Sequence, residues 1–406
     1  MYKRLFTSPP SLAEFERLCS QTIKPETYPL AGSIEKNVPI YNLPDFHSLV
    51  ADKTTITKLQ DEWYHILLNG PGVFVLKGMY STTNEGDDDA LSAATTAYQQ
   101  IISNERRSSE KKGDHFANTG ANDRIWNSFS KHAVTDPASF STYYSNPWLS
   151  YVSSAWLGPA YRITAQVNVV KPGGQAQNPH RDYHLGFQAV SSCAQYPRTM
   201  HSASAFLTLQ GAIAHTDMPL ASGPTWLLPF SQQFAEGYLA WTLAEFRDYF
   251  ASHYVAIPLE RGDALFFNPA LFHAAGANRT VGLERMANLL QISSAFGKCM
   301  EAVDSVVVVE SCWEVLVEMY YRATREEEKE EEQGPSLEVS CLIRAIADGY
   351  PFPTNLDRRP PAPSGLAPES EQDVVIRALK EGWTRERVVS ELRQMRLDSG
   401  DEMSVK

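Results

Sequence analysis

The 406-residue chain reads as a mainly β fold with flanking helices, a jelly-roll (cupin-like) core followed by a C-terminal helical extension. Three observations predict this. Ile163, Ala165, Val167 and Val169 alternate with polar residues, the period of a half-buried strand, and Lys171-Pro172-Gly173-Gly174 ends the run. Short apolar runs bounded by turn residues recur at 264–267 and 285–292. Beyond Lys298 the pattern turns helix-like and is broken by charge and proline.

Taken in order, residues 1–50 are Pro-rich and weakly patterned, so an irregular N-terminal segment is expected. Residues 55–68 have an amphipathic helical pattern that stops at Asn69-Gly70-Pro71-Gly72, and Val73-Phe74-Val75-Leu76 follows as an apolar strand. A helix is expected over 90–103. Arg106, Arg107, Lys111 and Lys112 near His115 then read as a solvated helix end. Arg124-Ile125-Trp126-Asn127 suits a short strand, with Trp126 packing in the core. These elements place the barrel domain over 51–299. In the extension, 300–406, Val306 to Val309 fits strand or helix and 313–325 fits a helix. An acidic run from Glu326 to Glu332 and five prolines between 351 and 363 mark a linker. A helical hairpin over 369–379 and 384–395 closes the chain, with Thr384 capping its second helix. This tail is expected to pack on the barrel or to form a homo-oligomer contact. A chain ending before Glu326 is expected to keep the barrel's binding properties.

The chemistry lies in His180-Arg181-Asp182 and in His273, with Arg285 twelve residues further on. Two imidazoles and a carboxylate on one face of a metal leave the opposite positions open, which suits non-haem Fe(II) holding a co-substrate and dioxygen. An arginine on the strand after the second histidine binds a carboxylate bidentately, as an oxo-acid co-substrate requires. Period-two geometry puts Arg285, Ala287 and Leu289 on one strand face, whereas Arg279 sits in a turn and is expected in solvent. The bland alternative for Arg285 is a surface ion pair with Glu284. An H-x-D alone is weak, since His215-Thr216-Asp217 is a second copy, but that copy precedes a turn and reads as a surface feature. His184, four residues after His180, lacks a helical context for a zinc pair and is expected in the pocket or behind a ligand.

In order and spacing these pieces resemble the phytanoyl-CoA dioxygenase family. The matching segments are His180-Arg181-Asp182, then Gly223-Pro224-Thr225-Trp226-Leu227-Leu228-Pro229, Gly262-Asp263-Ala264-Leu265-Phe266, and His273-Ala274-Ala275-Gly276-Ala277-Asn278 with Arg285. The resemblance covers about residues 60 to 295. It implies a double-stranded β-helix, Fe(II) held by His180, Asp182 and His273, and 2-oxoglutarate chelating the metal. It also implies that Arg285 binds the distal carboxylate, helped by Thr225 and by Gln177 or Asn178. One departure is that Pro229-Phe230-Ser231-Gln232 lacks the histidine usual in that turn. The implied reaction consumes dioxygen, releases succinate and carbon dioxide, and hydroxylates, desaturates or cyclises a small organic substrate. Two other classes stay open: a metal-dependent isomerase or hydrolase without 2-oxoglutarate, and a non-catalytic barrel scaffold.

Composition bounds the partners. A net charge of −12 argues against general nucleic-acid binding, and no run of 18 apolar residues suggests a membrane helix. Five scattered cysteines without a C-x-x-C fit free thiols in a reducing compartment, and a cytoplasmic location is the expectation.

Overall fold

A computed structural model describes residues 3–80, 90–107, 122–326 and 334–400. Ten strands are found there: β1 (Ser33–Glu35), β2 (Val38–Asn42), β3 (Val73–Lys77), β4 (Asp123–Ile125), β5 (Arg162–Val170), β6 (Thr208–Ala214), β7 (Trp226–Leu227), β8 (Ala264–Phe267), β9 (His273–Ala274) and β10 (Arg285–Ser293). Eight form one mixed sheet in the order β1-β2-β3-β8-β6-β10-β5-β4, and β7 pairs with β9 in a small second sheet. Residues of both sheets line one cavity, consistent with a jelly-roll core.

The expectation of a mainly β protein is corrected, because fourteen α-helices accompany those strands among the described residues. Among those not expected, α4 (Ser128–Thr135), α5 (Pro137–Tyr144) and α6 (Pro147–Leu157) follow α1 (Leu12–Cys19), α2 (Lys53–Leu68) and α3 (Ala90–Arg107). Their Ser- and Tyr-rich sequences are poor helix formers, and tertiary burial of Phe129, Phe140, Tyr143, Tyr144 and Leu149 overrides that propensity. Asp136 and Asn146 cap α5 and α6 from positions just before Pro137 and Pro147.

The first fifty residues are not irregular either. Helix α1 buries Phe15 against Phe234, Phe246 and Phe272, and β2 runs parallel to β3. Pro39 inside β2 disguises that strand, since proline demotes a run of this kind.

Later come α7 (Val190–Cys193), α8 (Arg198–Phe206), α9 (Gly237–Ala240) and α10 (Ala244–His253), then α11 (Ser305–Glu326), α12 (Leu337–Ile346), α13 (Glu371–Lys380) and α14 (Arg385–Ser399). The valine run at 306–309 is helical, and Thr384 caps α14 through the Arg387 amide. Most of the acidic run, 327–332, lies outside the described residues, as do Lys111, Lys112 and His115. No described helix is long and apolar enough to cross a membrane.

One hydrophobic cluster runs through the extension and the residues before it, from Trp63 and Phe74 to Trp313, Leu342 and Val389. Helix α12 packs on α5, α6 and β5, and α11 packs on α4 and α5. Ending the chain before Glu326 is therefore expected to uncover the surfaces that Val339, Leu342, Ile343 and Ile346 bury, and to send the protein into the insoluble fraction. A soluble truncation with an unchanged melting temperature would show that the extension is separable after all.

Candidate metal centre

After β5, Lys171-Pro172-Gly173-Gly174 turns the chain, with Gly173 at φ +85°. The chain then runs past β9, where His180 and His273 exchange both backbone hydrogen bonds, at 3.0 and 3.1 Å. The Asp182 amide donates to the Pro269 carbonyl at 2.9 Å. Tyr183 and His184 follow with φ of 61° and 50°, so the chain bends sharply just past the carboxylate.

Nitrogens of His180 and His273 and a carboxylate oxygen of Asp182 lie within 4.8 Å of one another. His180 Nε2 is 3.6 Å and His273 Nε2 3.3 Å from the two oxygens of Asp182. Each ring places Nδ1 2.8 Å from a backbone carbonyl two residues earlier, Asn178 for His180 and Leu271 for His273. With the proton on Nδ1, each Nε2 presents its lone pair toward the carboxylate. Three electron-rich groups thus converge with their protons directed elsewhere, an arrangement that a cation relieves. The donor set, two nitrogens and one oxygen, fits Fe(II).

Electrostatics point the same way. Burial pushes the His180 ring down from its ordinary pKa, keeping it neutral as a metal ligand must be. Burial works to raise the Asp182 carboxyl, but its surroundings, the hydrogen bond from Gln210 among them, outweigh burial and hold it below the usual carboxylate range. Gln210 Nε2 lies 2.6 Å from Asp182 Oδ2. This orienting residue on β6 was missed in the sequence, where a lone glutamine in an apolar strand gives no signal.

Arg285 enters the same cavity from the start of β10, buried, while Glu284 beside it is exposed. Its guanidinium donates to the carbonyls of Ser222 at 3.1 Å and Gly276 at 3.4 Å, and no carboxylate of the described residues pairs with it. Burial lowers its pKa to about 10. Gly223 makes room here: its φ is +71°, and a Cβ would stand 2.3 Å from the Ala277 carbonyl. Thr225 also lines the cavity. Gln177 and Asn178 border it, the first accepting from the Ala275 amide at 3.3 Å and the second exposed. Arg279 is exposed on its turn.

Two histidine expectations change. His215 is not at the surface: it is buried, with Nδ1 2.8 Å from Thr95 Oγ1 and Nε2 3.1 Å from Tyr143 Oη. Its neighbour Asp217 is exposed and accepts from the Arg261 amide, so the second H-x-D is split between core and surface. His215→Ala is expected to leave metal binding intact and cost about 1–3 kcal/mol of stability, read by chemical denaturation. His184 is not at the cavity either, but turns its Nε2 toward Thr208 Oγ1 at 3.4 Å.

Arg181, unassigned from the sequence, is buried between the two ligand positions. It donates to the Ser231 and Phe234 carbonyls at 2.5 and 2.9 Å and lies over the Tyr238 and Phe272 rings. It thereby ties the His180–Asp182 segment to the turn at 231–234 and to the residue preceding His273.

Among solved structures, the chain is similar to the non-heme alpha ketoglutarate dependent carbocyclase SnoK from nogalamycin biosynthesis, at 18% identity and a TM-score of 0.41, covering 59% of this chain and 86% of that one. It is also similar to the non-heme alpha ketoglutarate dependent epimerase SnoN from the same biosynthesis, at 16% identity and a TM-score of 0.40, covering 60% and 82%. No curated protein matches it. Residues 50–287 match the family described as phytanoyl-CoA dioxygenase (PhyH). That match spans more than half of the sequence and takes in His180, Asp182, His273 and Arg285, so the chain belongs to the phytanoyl-CoA dioxygenase family.

Proposed function

We propose that the protein is an Fe(II)- and 2-oxoglutarate-dependent dioxygenase that oxidises a small organic molecule by hydroxylation, desaturation or ring closure. The observation that carries this reading is Arg285, a buried cation that no carboxylate of the described residues pairs, in the cavity that His180, Asp182 and His273 share. A dicarboxylate co-substrate chelating the metal supplies the missing charge.

His180, Asp182 and His273 would hold the iron, and Arg285 with Thr225 would hold the distal carboxylate, with Gln177 and Asn178 at its border. When bound, iron and 2-oxoglutarate would turn dioxygen into an oxidant strong enough for an unactivated C–H bond, with succinate and carbon dioxide as by-products. The chain's own part is positioning. The carbonyls of Asn178 and Leu271 fix both imidazoles in one tautomer, and Gln210 fixes the carboxylate. Ala212, Met218, Leu259, Ala287 and Leu289 line the cavity on the Arg285 side and exclude water, which strengthens a carboxylate–guanidinium pair. The cavity, about 480 Å³, is of small-molecule size.

Anaerobic addition of Fe(II) and then 2-oxoglutarate is expected to produce a visible metal-to-ligand charge-transfer band. Iron binding without that band would leave the isomerase or hydrolase reading in its place.

A further inference from the structure

The cavity has a second, chemically different wall. Gln166 and Asn168 on β5 and Gln291 on β10 line it, and none is more than 8% exposed. The antiparallel register explains the grouping: Leu289 stands opposite Gln166, Ala287 opposite Asn168, and Gln291 opposite Gln210 on β6. Arg124 of β4, the register neighbour of Asn168, extends this wall with a positive charge.

The side-chain amide oxygens of Gln166, Asn168 and Gln291 have no hydrogen-bond partner among the described residues. Gln166 Nε2 lies 3.7 Å from the Met300 sulfur. Buried polar groups in folded proteins are nearly always partnered, and a cavity-lining group that is not marks a place where a ligand or water supplies the partner. Here three such amides line the same cavity from two adjacent strands. An amide turned by half a revolution exchanges donor for acceptor, so each can meet a group that both gives and takes a hydrogen bond. A hydroxyl is such a group. An alkyl chain in the same place would leave all three amides bare.

The geometry points to a polyhydroxylated small molecule, of the glycoside, nucleoside or cyclitol kind, as the substrate bound by Gln166, Asn168 and Gln291. The assignment rests on the oxygenase reading above and narrows it. Discrimination is expected to be steep, because a site built around hydroxyls rejects analogues lacking them by on the order of 10⁴-fold.

The test uses the full-length protein with two probe sets: methyl glucoside, uridine and myo-inositol against octanoyl- and hexadecanoyl-coenzyme A. Binding is read as a shift in melting temperature under anaerobic conditions with Fe(II) and 2-oxoglutarate, and response as faster succinate release in air. At least one hydroxylated probe, at about ten times its dissociation constant, should raise the melting temperature by about 1–3 °C and accelerate succinate release. The acyl thioesters should do neither. Gln291→Leu and Gln166→Leu should each weaken that probe's binding at least about tenfold, and having two variants guards against one that folds poorly. Response to the acyl thioesters alone, silence toward every hydroxylated probe, or undiminished binding in both leucine variants would each overturn the substrate class. Failure of the unmodified protein to bind 2-oxoglutarate would instead overturn the oxygenase reading beneath it.

Discussion

Asp182→Ala should abolish turnover and strip the protein of tight iron binding while leaving the fold in place. Asp182 is the carboxylate of the convergent set, within 3.6 Å of both imidazole Nε2 atoms. Removing an outer-shell partner of a metal ligand costs roughly 10–100-fold in affinity, and losing a ligand itself should cost more. The fold should survive because the side chain lies at a cavity and supports no apolar packing. Its backbone bond to Pro269 does not depend on the carboxylate. Two measurements decide the matter: equilibrium dialysis against Fe(II), and the far-ultraviolet circular dichroism of the metal-free variant. An Asp182→Ala protein that turns over at the full rate would end the assignment of the metal centre.

Arg285→Gln should act on the other half of the site. Losing one partner of a buried, hydrogen-bonded charge pair costs about 2–5 kcal/mol, so 2-oxoglutarate should bind at least about tenfold more weakly. Iron affinity should hardly change, because among the described residues the guanidinium hydrogen-bonds to the Ser222 and Gly276 carbonyls and to none of the three metal-site side chains. Glutamine can still donate to one of these, which limits damage to the fold. Titrating the charge-transfer band with the co-substrate separates the two affinities. Arg279→Gln is the control: it lies exposed on the neighbouring turn and should leave the titration unchanged. The reverse pattern would mean that the carboxylate anchor is Arg279.

What the sequence made legible follows from where each signal resides. His180, Asp182, His273 and Arg285 stand at strand ends and beside turn residues, so local periodicity and spacing placed them on one cavity. Helices α2 and α3 and strands β3, β5, β8 and β10 were likewise readable from patterns within a dozen or so residues. Features set by distant neighbours were not. Gln210 matters only because β6 lies beside β10 and Asp182 folds over it. His215 looked like a twin of His180 until Thr95 and Tyr143, remote in sequence, enclosed it. Helices α4 to α6 carried readable caps in Asp136-Pro137 and Asn146-Pro147, yet their interiors argue against helix. The packing of α12 on α5 and α6 joins segments nearly two hundred residues apart, which no local pattern encodes.

The reciprocal backbone bonds between His180 and His273 carry a consequence for which ion the protein captures. They fix the spacing of the two imidazoles before any ion arrives, so binding requires little reorganisation of the chain. A ready-made set of two nitrogens and one oxygen ranks divalent ions by their intrinsic affinity, which rises from manganese through iron and cobalt to nickel and copper. Zinc, nickel and cobalt should therefore displace Fe(II) from the purified protein at equal concentration. Iron occupancy would then be decided by the supply of free ions around the protein rather than by the shape of its site.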